Sequence, residues 1–141
     1  MGNDNTTIIK GLEEGRAKFA YECANQIPQK LKESYKSHVK SFPMMVKTNG
    51  LGASLAFLFS KRDKEKEIYK MVGNSIVDWL KKDEKYKNYG LGKLSDLKSL
   101  TEGVVGINSP EYRALTIEVL AFFNWLRRFA EGLLEEEAED E

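Results

Sequence analysis

One cysteine, one histidine and three prolines are all that the 141 residues hold of those types. Each shortage excludes something. The lone Cys23 cannot close an internal disulfide, which points to a reducing compartment. His38, fifteen residues further on, has no second histidine to join it. A structural zinc site needs about four Cys or His ligands, so none is expected. No acidic cluster at fixed spacing precedes the C-terminal run, which leaves no seat for a harder cation. A P-loop, a dinucleotide-binding glycine turn after a strand and a nucleophile elbow are all missing. The longest apolar run, residues 51–59, is about half a membrane span. The polar start, Met1-Gly2-Asn3-Asp4-Asn5, has no signal-peptide pattern. The expectation is a cytoplasmic protein with no cofactor, no metal, no membrane contact, no small-molecule substrate and no catalytic site.

Charge of one sign is also scarce, but only on average. The formal net charge is zero, yet residues 135–141 hold six of the 22 acidic side chains. The rest of the chain is therefore basic by six. Residues 16–98 alone carry eighteen basic against nine acidic groups. A basic body with an acidic end favours polyanionic partners over acidic small substrates.

What is plentiful is helical periodicity. Ile9, Leu12, Phe19, Cys23, Ile27, Leu31, Tyr35, Val39 and Phe42 recur in helical register, one face of a helix that Thr6 or Thr7 can cap. The register passes straight through Pro28, which predicts a kinked helix or two nearly collinear ones. Phe42-Pro43 is expected to end that segment. Thr48-Asn49-Gly50-Leu51-Gly52 is a turn with a cap at Thr48 or Asn49. It leads into Ala53-Ser54-Leu55-Ala56-Phe57-Leu58-Phe59, apolar nearly all round and so predicted to be central. Ile68, Met71, Val72, Ile76, Trp79 and Leu80 form the next stripe. Leu94, Leu97 and Leu100 predict a short helix, and Gly103-Val104-Val105-Gly106 a loop. Ser109-Pro110-Glu111 is a helix start with its own cap. Leu115, Val119, Phe122, Leu126, Phe129 and Leu133 continue it. The fold class is all-α: one domain, residues 1–134, in a bundle of about five or six helices, with an acidic and disordered tail at 135–141.

Within that frame Cys23 reads as a small core hydrophobe. His38, with no carboxylate at helical spacing, reads as a boundary residue rather than an acid or base. The cations say more. Lys32, Lys36 and Lys40 recur every four positions and so stack on one helix face, with Lys47 following. Like charges at that spacing repel by roughly 0.2–0.5 kcal/mol per pair, which a polyanion would relieve. A solvated face partly compensated by Glu33 is the alternative. Lys61, Arg62, Lys64 and Lys66 alternate with Asp63, Glu65 and Glu67, as an ordinary solvated segment does. Arg127-Arg128 either complements a helix C-terminus or grips phosphate. The amides of Asn49-Gly50-Leu51-Gly52 either meet a phosphate or simply turn the chain. Tyr86 and Tyr89 among Lys81, Lys82, Lys85 and Lys87 either stack on bases or sit in a polar loop.

Lys47-Thr48-Asn49-Gly50-Leu51-Gly52-Ala53-Ser54-Leu55-Ala56-Phe57-Leu58-Phe59-Ser60-Lys61 resembles the central signature of the small helical subunit of type III-B CRISPR effector complexes, the Cmr ribonucleoproteins. Tyr35-Lys36-Ser37-His38-Val39-Lys40-Ser41-Phe42-Pro43, Trp79-Leu80, and the stretch from Tyr112-Arg113-Ala114-Leu115-Thr116 through Phe122-Phe123-Asn124-Trp125-Leu126-Arg127-Arg128-Phe129-Ala130-Glu131 resemble its flanking helices. The resemblance implies a noncatalytic antiviral-defence subunit stacked in copies of itself beside other effector subunits. It also implies a channel for guide RNA and target RNA, lined with basic residues. Leu55, Phe57, Leu58 and Phe59 are then core, and Lys47, Asn49 and Lys61 carry over as contacts. Lys32, Lys36, Lys40, Arg127 and Arg128 join them on charge. Two other classes stay open: a helical protein-interaction module without RNA contact, and a small nuclease using His38.

Overall fold

A computed structural model describes residues 4–64, 67–82 and 89–140, with side-chain environments for 15–64, 67–82 and 89–133. The described residues form six α-helices and no strand. They are α1 (Asp4–Asn25), α2 (Lys32–Asn49), α3 (Leu51–Lys61), α4 (Ile68–Lys82), α5 (Leu97–Gly106) and α6 (Ser109–Asp140). The all-α expectation holds. Glu65, Lys66, Lys85, Tyr86 and Lys87, and the side chains of Thr6, Thr7, Ile9, Leu12 and 135–141, lie outside what is described.

Helix α6 is the spine. Both α1 and α2 pack along it, and α3, α4 and α5 form a second layer against α2 and one another. Side-chain pairs fix the directions. Arg16 meets Glu118 while Tyr21 meets Phe129, so α1 runs parallel to α6. Lys32 shares a crevice with Ala130 and Leu133 while Phe42 stacks on Phe123, so α2 runs antiparallel. The chain therefore reverses at Pro28, and the collinear reading is wrong. Pro28 is extended (φ −56°, ψ 141°) and begins a 3-10 turn, Gln29–Leu31. The register survived the break because both helices bury their stripes against the same neighbours.

Three other expected boundaries move. Helix α2 continues through Pro43 to Asn49. Proline has no N–H for the carbonyl four residues back, but Phe42 and Val46 on either side are both buried and hold the helix on course. Residues 103–106 finish α5 rather than forming a loop. A Cβ on Gly103 would lie 2.9 Å from the Leu91 carbonyl, so glycine serves close packing there. The cap of α6 is Asn108, whose Oδ1 accepts from the Glu111 N–H at 3.0 Å. Asp96 caps α5 in the same way, accepting from Ser99 at 2.9 Å.

Helix α3 is half-exposed rather than central. Leu51, Ser54, Leu55 and Leu58 are buried, but Ala53, Ala56 and Phe57 face outward. Phe59 is half-buried beneath the Arg62 guanidinium, 4.1 Å from its ring centre. The central place belongs to aromatic side chains of α1, α4 and α6. Trp79 lies flat on Phe122 (5.6 Å, 8°), and Phe19 stacks on both.

Candidate nucleic-acid interface

On α2, 100° per residue puts Lys36, Lys40 and Lys47 within about 40° of one another, with Lys32 about 40° to one side. The core positions Tyr35, Val39, Phe42 and Val46 are the adjoining face. Helix α2 packs on α6, and Lys32, at one end of the stripe, shares a crevice with Ala130 and Leu133. At its far end Lys47 and Arg127 line one groove of about 400 Å³, together with Pro43, Leu120, Ala121 and Asn124. Phe123 lies beneath, fully buried. Among the described residues, no carboxylate lies within 4.0 Å of Lys36, Lys40, Lys47, Lys61, Arg127 or Arg128.

Lys47, at the end of the stripe, and Arg127 are thus brought together, and the other candidates do not join them. Arg128 is exposed, one residue and 100° further round α6. Asn49 is exposed at the end of α2, well off the lysine face. Lys61 sits at the opposite end of α3, about 15 Å from Asn49 at 1.5 Å per residue. Tyr89 is buried and is not a surface platform for bases. Neither Thr48 nor Asn49 caps α3. Gly50 occupies that position at φ +91°, a left-handed conformation that side chains rarely adopt. The Tyr112 hydroxyl takes the first-turn amide instead, accepting from the Gly52 N–H at 2.7 Å. That amide has a tenant, so the phosphate reading of the turn is withdrawn.

The remaining polar residues are structural in their contacts. His38 Nδ1 is 2.7 Å from the Ser34 carbonyl, which fixes it as the protonated nitrogen. Its ring meets Tyr69 edge-on in a cleft with Ser41, Met45, Phe57 and Leu58, a lining without a carboxylate. Cys23 packs against the core, and burial pushes its thiol up to about 11. Tyr35, beside Ser75 at 3.0 Å, is raised above the ordinary phenol range for the same reason. Among the described residues no three of His, Cys, Asp and Glu gather to hold a metal ion. No helix of the described residues is long and apolar enough to cross a membrane.

The sequence reading missed one charged site altogether. Arg16 forms a bidentate pair with Glu118, Nε to Oε2 at 2.7 Å and Nη2 to Oε1 at 2.8 Å. Trp79 Nε1 donates to the same Oε2 at 3.0 Å. The Glu118 side chain is only 4% exposed. The available signal was that Glu118 falls in register with Leu115, Val119 and Phe122, a carboxylate on the apolar face.

Comparison with known proteins places these features in a family. The profile described as CRISPR-associated protein (Cas_Cmr5) matches residues 12–133. The chain belongs to this family. One Cmr5 relative is the "CRISPR system Cmr subunit Cmr5" of Thermus thermophilus, 32% identical over 102 residues, covering 72% of this chain and 76% of that protein. The crystal structure of a CRISPR-associated Cmr5 family protein from the same organism superposes with a TM-score of 0.68. It is 29% identical and covers 86% of this chain and 98% of that one. The matched span takes in the lysine stripe, the groove and the Gly50–Tyr112 junction, and stops short of the acidic run.

Proposed function

We propose that this Cmr5-family chain is a noncatalytic subunit of a cytoplasmic CRISPR Cmr complex acting in antiviral defence. It stacks there with copies of itself and other subunits, and contacts guide and target RNA through the α2–α6 side. The domain reading, one helical unit to residue 134 and an acidic run after it, goes with this proposal. The observation that carries it is the shared α2 face of Lys36, Lys40 and Lys47, with Lys47 sharing a groove with Arg127, cations with no acidic partner at hand among the described residues. Like charges held side by side cost folding energy, and phosphates would release both the repulsion and their own counterions. Such contacts position a nucleic acid without reading its sequence. The Thermus relative, a Cmr subunit by its name, supports the assembly half of the reading.

Replacing Lys36, Lys40 and Lys47 together by Ala tests it within the reconstituted complex. The expected result is weaker RNA retention and a shallower dependence on salt, with helix content unchanged. Unaltered affinity and slope would remove the stripe. The second reading, a protein-interaction module without RNA contact, draws on the exposed apolar side chains Met44 (69%), Val105 (72%) and Ile117 (68%). Under it the triple variant would assemble and bind as the parent does.

A further inference from the structure

The groove between α2 and α6 is built for more than phosphate. Lys47 and Arg127 line it as cations, and Pro43, Leu120 and Ala121 line it with apolar groups. Phosphate contact alone makes no use of an apolar floor. A base face does, because it is flat, poorly hydrated and anchored to an anionic backbone. The volume of about 400 Å³ falls in the range of small-molecule pockets, about 300–1,000 Å³. Asn124, exposed at the rim, offers both a donor and an acceptor to a base edge. The Arg127 guanidinium is planar and stacks as readily as it pairs.

We infer that this groove receives a single unpaired nucleotide, its base on Pro43, Leu120 and Ala121 and its flanking phosphates on Lys47 and Arg127. The inference rests on the RNA-contact reading and adds the class of ligand taken at that place. A base still paired in a duplex keeps its faces covered by its neighbours, so only an extruded one fits. An acidic peptide is the rival occupant, since residues 135–141 supply one. Within one chain, α6 runs on from the groove to Asp140 and leads that segment away. Carboxylates would also leave the apolar floor unused.

The test titrates the full-length chain, at low salt, with three short RNA duplexes followed through the amide signals of Lys47, Asn124 and Arg127. One duplex is fully paired, one carries a single central unpaired adenosine, and one carries an abasic ribose at that place. The expected result is about tenfold tighter binding of the unpaired adenosine than of the other two, toward the low end for one stacked base. Ala121→Leu, which fills the groove without altering charge, should erase that preference and leave the salt slope as it was. Should that variant fail to fold, the parent chain with its three ligands still decides the matter. Equal, salt-sensitive binding of all three would overturn the base site and leave the phosphate reading standing. Signals unmoved by any RNA would remove both. A peptide of residues 135–141 that shifts the same signals and displaces the unpaired adenosine would give the groove to the acidic segment of a second copy.

Discussion

The seam between α1 and α6 and the seam between α2 and α6 share a helix, and both carry arginine or lysine, yet they use charge in opposite ways. In the first, the half-buried Arg16 pairs with the buried Glu118, and Trp79 donates to the same carboxylate. In the second, Lys47 and Arg127 stand at an open groove with no acidic partner within 4.0 Å among the described residues. A buried charge must be matched or the fold suffers, so the first seam is constrained by stability. Among the described residues no carboxylate calls for the cations of the second. Charge that stability does not demand is where a partner is to be sought.

That contrast can be broken or sharpened experimentally. The largest effect is expected from Glu118→Ala, which strands the largely covered Arg16 guanidinium and the Trp79 N–H and should cost about 3–5 kcal/mol in urea unfolding. The double variant Arg16→Met with Glu118→Leu should recover most of that loss, since an apolar pair of similar size often replaces a buried ion pair at little cost. A double variant as unstable as the single one would show that Trp79 depends on the carboxylate. At the second seam, Lys47→Ala with Arg127→Ala should change stability by no more than about 0.5 kcal/mol. The slope of log affinity for RNA against log salt should nonetheless fall by about 0.7–0.9 for each phosphate that is no longer neutralised. Asn124→Glu supplies the missing partner, and should stabilise the chain by roughly 0.2–1 kcal/mol while weakening RNA binding. The smallest effect concerns Cys23. With the thiol pushed up to about 11 by burial, its thiolate is scarce near pH 8, and disulfide-exchange reagents should react slowly until the chain unfolds.

How much of this was legible in the sequence depended on the range of the interaction. Periodicity gave the helices and the all-α class because residues three and four apart determine it. It also gave the lysine stripe, which lies within one helix. It could not give the reversal at Pro28, because α1 and α2 present the same register whether they continue or double back. Pro43 and Gly103 misled for a related reason. Each weakens a helix locally, and each is outweighed by packing: Phe42 and Val46 in one case, the Leu91 backbone in the other. The meeting of Lys47 with Arg127 spans eighty positions and follows only from the antiparallel course of α2. Asn124, Pro43 and Ala121 come to line the groove for the same reason, and Tyr112 reaches the amide of Gly52. Glu118 alone left a usable mark, a carboxylate on an apolar stripe.

The placement of the two tryptophans has a practical consequence. Trp79 lies flat on Phe122 with its N–H bound to a carboxylate, whereas Trp125 is half-buried against Phe129, two residues from Arg127. One indole therefore looks into the sealed interior, and the other is partly open to solvent, about 200° round α6 from Arg127. The chain carries its own pair of optical gauges. An aqueous quencher should reach Trp125 before Trp79, and loss of the interior should redden both.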